Sequence, residues 1–244
     1  MATIYPLNPD FKNIAEKEVY YFFKKNLSNI YVVYYNYHIY NREFDFVILV
    51  PNKGICVIEV KGWKASEIDH VEDNDTIYQK QKIGLPIPWS SPFKQANDYR
   101  YMFINKIKDE IKKDLLVIPL VCYPYIKKDE FYEKRLDIVS NEKLTILVED
   151  LVNQESIENK LDEAFAFFNN IGHDPFTLDY MNTIRRWYEN EEQIENTLKQ
   201  LIPNGKTKII LKKPREYYSL LTYLPRDVSF TQAESLIDEQ IEHW

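Results

Sequence analysis

The chain has 244 residues, a net charge of −7, five glycines and nineteen tyrosines, a length that suits one large domain or a domain with an appendage. With so few glycines and no G-x-x-x-x-G-K-[ST] pattern, a Gly-rich phosphate loop is excluded. The acidic balance argues against broad charge-driven nucleic-acid binding and leaves room only for a local basic groove.

No apolar run approaches the ~18 residues of a membrane span. The opening Met1-Ala2-Thr3-Ile4-Tyr5-Pro6 lacks the basic and apolar regions of a secretory leader. Cys56 and Cys122 lie in apolar runs and read as small core residues, not as a disulfide or zinc framework. A cytoplasmic protein without membrane contact is expected.

Residues 10–27 read as a helix, capped by Asp10, with Ile14, Val19, Phe22, Phe23 and Leu27 as its apolar stripe. Glu16 and Glu18 lie in it, and on residue type alone both are solvated acids. Residues 30–40 form a tyrosine-rich strand. Its aromatics suit sheet surface and core better than a base-stacking platform, and His38 is a lone strand histidine.

The chain then runs Glu43-Phe44-Asp45-Phe46-Val47-Ile48-Leu49-Val50, turns through Pro51-Asn52-Lys53-Gly54, and continues Ile55-Cys56-Val57-Ile58-Glu59-Val60-Lys61. Two apolar, β-branched runs around a short turn predict a β-hairpin. Apolar residues on both faces of the second strand place it centrally in a covered sheet. Asp45, Glu59 and Lys61 interrupt that pattern, and buried charges are costly unless they pair or hold a metal. A three-residue loop, Asn52-Lys53-Gly54, would put Gly54 in the left-handed position and Asp45 opposite Lys61, with Glu59 diagonal. All three charges then share one face. The bland alternative, a buried Lys61 salt bridge, leaves one carboxylate unpaired.

Residues 66–80 predict a more polar hairpin around an acidic turn, and residues 81–90, with Pro86 and Pro88, an extended linker. Ser91 caps a helix that starts at Pro92 and runs to residue 113, with Ala96, Tyr99, Phe103, Ile107 and Ile111 on its buried face. Residues 115–123 form a core strand in which Pro119 implies a bulge or an edge. Residues 144–148 form the last strand, and Glu149-Asp150 caps a helix to residue 170. The order α-β-β-β-α-β makes an α/β fold: a mixed sheet with helices on both faces.

A break at His173-Asp174-Pro175 divides the chain into residues 1–172 and 173–244. The second part opens with a helix over 177–200. It continues through a stretch with five basic residues and no acid, Lys206, Lys208, Lys212, Lys213 and Arg215. This stretch fits a phosphate-contacting strand and equally an edge strand protected by lysines. A final helix is capped near Ser229.

The pattern Glu43-x-Asp45 followed by Glu59-x-Lys61 after a hairpin turn resembles the PD-(D/E)XK nuclease superfamily. The continuation Glu59-Val60-Lys61-Gly62-Trp63 is similar to its nuclease-related domain, NERD. Two further segments resemble NERD in order. Ala15-Glu16-Lys17-Glu18-Val19 matches Gly-Glu-x-x-Val with Ala in place of Gly, and Pro92-Phe93-Lys94-Gln95-Ala96 matches Pro-x-x-Gln-Ala.

The resemblance implies a restriction-endonuclease-like core and Mg²⁺- or Mn²⁺-dependent hydrolysis of DNA, serving restriction of foreign DNA. Asp45, Glu59 and the Val60 backbone carbonyl would hold the cation, with Glu16 completing its shell. Lys61 would hold the attacking water, and Gln95 would bond a water or phosphate oxygen. Lys64 and Lys94 are candidate phosphate contacts. A homodimer is common in the superfamily. The C-terminal segment resembles the one preceding the nucleotide loop in helicases with an N-terminal NERD domain, which implies a motor in cis or in trans. The rival classes are a catalytically weak nucleic-acid- or protein-binding module on the same fold, and an RNase with the same site.

Overall fold

The β-branched and aromatic runs between residues 32 and 60 pair as three consecutive antiparallel strands. The computed structural model describes residues 2–189 except 41, 74 and 169–171. The chain divides into two units, Met1–Phe176 and Thr177–Trp244.

In chain order the first unit contains β1 (Thr3–Tyr5), α1 (Ile14–Asn26), β2 (Val32–Ile39), β3 (Arg42–Val50), β4 (Gly54–Val60), β5 (Ile68–Glu72), β6 (Thr76–Gln79) and β7 (Ile87–Ser90). There follow α2 (Pro92–Glu110), β8 (Val117–Cys122), α3 (Lys128–Glu133), β9 (Thr145–Ile146) and α4 (Gln154–Phe168). The main sheet has the order β1-β2-β3-β4-β8-β9. It is mixed: β1 runs parallel to β2, β2-β3-β4 is an antiparallel meander, and β4-β8-β9 is parallel. The run α1-β2-β3-β4-α2-β8 is the α-β-β-β-α-β order expected from the sequence. A second sheet, β5-β6-β7, is antiparallel.

Two apolar clusters hold the unit together. On one side Val19, Tyr20 and Phe23 of α1 and Leu161 and Phe165 of α4 pack with Phe46, Ile48, Cys56 and Ile58. On the other, Ala96 of α2 joins Val121, Phe131, Leu136 and the small sheet's Ile68 and Ile77. Each fully buried side chain of this size contributes roughly 1.5–3 kcal/mol. Cys56 and Cys122 are buried free thiols within the first cluster.

Several local expectations shift. The cap of α1 is Asn13, not Asp10; its side chain accepts from Glu16 N–H. Ile14 lies outside the apolar stripe and is exposed, while Tyr20 is buried. Asn153, not Glu149-Asp150, sits at the start of α4, where it exchanges hydrogen bonds with Ser156. Asp150 instead accepts from Leu147 N–H at the end of β9. Residues 87–90, read as linker, are the edge strand β7; Pro88 is tolerated there because an edge has an unpaired side.

Pro119 causes no bulge. Leu116 and Cys122 accept from Ile55 and Lys61, so the even-numbered residues of β8 face β4. Pro119 faces the opposite side, where β9 reaches only Val121 and Cys122. β1 and α3 were not anticipated.

The described part of the second unit holds α5 (Leu178–Arg185), capped by Thr177. The helix ends at Arg185 with Arg186 as its C-cap, and residues 186–189 form a turn where helix is predicted; residues 190–200 and the terminal helix lie outside the described residues. So does the basic stretch Lys206, Lys208, Lys212, Lys213 and Arg215.

Candidate active site

The hairpin register decides where the charges go. Val50 pairs with Gly54, Val47 with Val57 and Phe46 with Ile58. Continuing that register puts Asp45 across from Glu59, not from Lys61. The connecting residues are Pro51-Asn52-Lys53, one position earlier than the expected loop. Asn52 takes the left-handed conformation, at φ 62°. Gly54 opens β4 at φ 150°, and a Cβ there would meet the Leu116 carbonyl oxygen at 2.3 Å. The glycine therefore answers the close approach of β8 as well as the turn. The shift is by a whole pair, so Asp45, Glu59 and Lys61 keep the common face that the sequence implied.

Backbone pairing of β3 with β4 ends at Phe46 and Ile58, while β3 stays paired with β2 as far as Arg42. The two central strands separate here. Asp45 Oδ2 accepts from Val60 N–H at 2.8 Å, so a side chain takes the place of the next ladder acceptor. On the other side of β4, Lys61 N–H donates to the Cys122 carbonyl at 2.9 Å. These bonds fix the end of β4 where its pairing with β3 stops.

Glu59 is buried, with its side chain 3% exposed, and Lys61 Nζ donates to its Oε1 at 2.6 Å. The Glu59 Oε2 is buried with no hydrogen-bond partner among the described residues. The salt bridge weighed above is therefore present, and it leaves one lone-pair-bearing oxygen unused. Asp45, half-buried, is pushed up to about 7 by burial first and by the Glu59 carboxylate second. Burial raises Glu59 as well, against the pull of Lys61. Two carboxyls facing each other with raised pKa values form a site that a cation would relieve.

Glu16 comes to this place from the first turn of α1. It is 4% exposed, not solvated. Tyr35 Oη donates to its Oε2 at 2.6 Å and Asn13 Nδ2 to its Oε1 at 2.5 Å. The Glu16 charge helps raise Asp45. Both Glu16 oxygens are thus engaged.

Gln95 lies in the first turn of α2 and donates to Tyr99 Oη at 2.8 Å. Tyr99 is raised by burial and also feels Glu59, Asp45 and Lys61. The site is thus walled by α1 and α2. Gly62 permits the approach of α1, since a Cβ there would fall 2.7 Å from Ala15 Cβ. Lys64 and Lys94, close in sequence to Lys61 and Gln95, are exposed.

Sequence alone assigns Asn13, Tyr35 and Tyr99 no part in the site, Tyr99 being placed only on the buried face of its helix. The Gln95–Tyr99 spacing of four carries a signal for Tyr99, and Asn13 three residues before Glu16 is a helix-start capping pattern; nothing in the local sequence marks Tyr35.

Among the described residues, no three His, Cys, Asp or Glu side chains form a metal-holding group by themselves. The donors that fit are oxygens only: the unpartnered Glu59 Oε2, Asp45 and backbone carbonyl. That set suits a hard divalent cation with several waters. Burial of an unpartnered carboxylate oxygen is costly without one.

Residues 12–124 match the family model described as a nuclease-related domain, NERD. No curated protein and no solved structure matches the chain. The matched span contains Glu16, Asp45, Glu59, Lys61 and Gln95.

Proposed function

From the premise that this chain carries a nuclease-related domain over residues 12–124, we propose that it hydrolyses phosphodiester bonds in DNA with Mg²⁺ or Mn²⁺ as cofactor. The observation that carries this reading is the buried Glu59 Oε2 without a partner among the described residues, on a carboxylate close enough to help raise Asp45. Asp45, Glu59 and the Val60 carbonyl would hold the cation, and Glu16 would hold one of its waters. When bound, such an ion acidifies water and offsets the charge that builds on phosphate.

The protein's own groups do the rest. Lys61 is a fixed ammonium, 26% exposed, held at its place by Glu59. It orients the attacking water and stabilises the added negative charge on the phosphoryl oxygens. The water oxygen forms a bond to phosphorus as the P–O bond to the leaving strand breaks; solvent takes the proton of the attacking water and supplies one to the leaving oxygen. Tyr35 and Asn13 keep Glu16 oriented. Gln95, steadied by Tyr99, turns its amide toward the substrate.

The rival reading is a binding module with poor turnover. The Lys61–Glu59 pair favours it, since a lysine locked to a carboxylate is also a structural device. A plasmid-nicking assay with Mg²⁺ or Mn²⁺ separates the two. The enzyme reading expects nicking that disappears in Asp45→Ala and Lys61→Ala, by about a hundredfold or more. DNA binding without nicking in the natural protein would sink the enzyme reading and leave the module. An RNA substrate in parallel tests the choice of nucleic acid. Restriction of foreign DNA, a partner motor and a homodimer remain roles to test around the same site.

A further inference from the structure

Strand β3 rolls over where the acids stand. Phe46 packs on Phe23 of α1 with ring centroids 5.4 Å apart, while Phe44, two residues earlier, packs on Tyr99 of α2 at 4.6 Å. Residues two apart on a regular strand share a face, so the roll falls between them, at Asp45. Strand β2 does the same: Tyr35 lies against Phe46 at 5.2 Å and Tyr37 against Phe103 of α2 at 5.9 Å. Asn36, between those tyrosines and across from Asp45 in the register, takes the left-handed conformation at φ 60°. With Phe44 turned toward α2, its neighbour Glu43 faces the α1 side, where the chain enters that helix.

There Glu43 meets Lys12. Lys12 immediately precedes Asn13, the cap of α1, and its ammonium pairs with the Glu43 carboxylate. The Lys12 N–H donates to the Tyr35 hydroxyl at 3.4 Å, and that hydroxyl donates in turn to Glu16. The root of the side chain is therefore tied to the site, while the side chain itself is 49% exposed. Partial burial lowers the Lys12 pKa, but the Glu43 pair and then the Asp45 and Glu16 charges outweigh it and raise it overall. Glu59 feels Lys12 as well. One ammonium thus lies in the field of four carboxylates, Glu16, Glu43, Asp45 and Glu59.

The two lysines of the site are held differently. Lys61 donates to Glu59, a carboxylate 3% exposed, and its release would strand a buried charge. The Lys12–Glu43 pair is open to water at both partners. An ion pair so exposed contributes little to the fold, and trading one anion for another costs little. In a chain of net charge −7 an incoming phosphate is repelled at long range, and cations at the site itself must offset that.

We propose that Lys12 is a second phosphate-binding residue of the site: when DNA enters, its ammonium exchanges Glu43 for a non-bridging oxygen of the phosphate at Asp45 and Glu59, reaching it from the β3 side while Lys61 reaches it from the β4 side. Glu43 is the stand-in anion that keeps Lys12 in place until then. This rests on the nuclease reading for the identity of the anion and extends it to how the strand is gripped. The contact is to phosphate and carries no sequence information.

The test uses the full chain and a short fluorescein-labelled DNA, offered single-stranded and as a duplex. Binding is followed by anisotropy with Ca²⁺ in place of Mg²⁺, the DNA being checked as intact after each measurement. Lys12→Met is expected to weaken binding about tenfold, the loss of one charge-assisted hydrogen bond. It is also expected to lower the slope of log K against log salt by about 0.7–0.9. Lys12→Arg restores most of both. Glu43→Gln removes the competing anion and tightens binding, a gain that disappears in the double variant with Lys12→Met. In cleavage assays with Mg²⁺, Lys12→Met raises KM more than it lowers kcat. A merely structural pair predicts that both single variants lower the melting temperature alike and that neither moves the salt slope; that pattern overturns the proposal. Lys12-dependent binding by a protein that cuts nothing sinks the nuclease reading and spares the phosphate contact. Cleavage whose KM and salt dependence are indifferent to Lys12→Met does the reverse, and a natural protein that neither binds nor cuts DNA overturns both.

Discussion

The Asp45 and Glu59 carboxyls set the behaviour of single residues here. Burial and mutual repulsion raise Asp45 to about 7 in the folded chain, against roughly 3.9 when unfolded. The folded state therefore holds a proton more tightly, and stability falls as pH rises from about 4 through about 7. The metal-free protein is expected to melt higher at about pH 5.5 than at about pH 8, and Asp45→Asn to flatten that difference. Added Mg²⁺ or Mn²⁺ is expected to raise the melting temperature more at the higher pH, because the ion competes with the proton. Thermal melts in EDTA and with cation check this; a natural protein with melts indifferent to pH in that window would contradict it. The presence of charges on one face was legible from the hairpin's period-two pattern. The burial of Glu16 was not: a glutamate in the first turn of a helix reads as solvated, and the Tyr35 hydroxyl from a neighbouring strand, together with Asn13, gives it a place inside.

Glycines determine how the elements fit at both ends of β4. At its start, Gly54 combines φ 150° with a carbonyl oxygen 2.3 Å from where a Cβ would be. Gly54→Ala is expected to cost about 1–3 kcal/mol in urea denaturation, from strain at a position that other residues rarely adopt. Past its end, Gly62 faces Ala15 Cβ. Gly62→Val is expected to push the first turn of α1 outward, and Glu16 with it. Its mark is a larger loss of cleavage than of stability, read by nicking and melting side by side; equal losses would assign Gly62 to the core alone. Strands β2 to β4 and helix α2 were legible because long β-branched runs and a Ser-Pro start are strong local signals. The one-pair register error arose because the reason for Gly54 lies in β8, over sixty residues away. β1 and β7 are three and four residues long, too short for a period to show, and the prolines around β7 looked like those of a linker.

Across the whole molecule, Asp45 and Glu59 belong to the six-stranded sheet of Met1–Phe176, and Glu16 and Gln95 to the helices α1 and α2 of the same unit; the sequence puts the boundary at residue 172, beside the His173-Asp174-Pro175 break. The apolar faces of β4 already place it centrally in a covered sheet, and the structure shows how little of the site is peripheral. Asp45 and Glu59 stand on the two middle strands, and residues 46–50 and 54–60 are buried throughout. No loop or lid carries them. Heat should consequently abolish cleavage and cooperative order in a single step: residual nicking after timed heating ought to trace the calorimetric transition of this unit degree for degree. An enzyme silenced well below that transition would mean its working parts can come adrift from the scaffold.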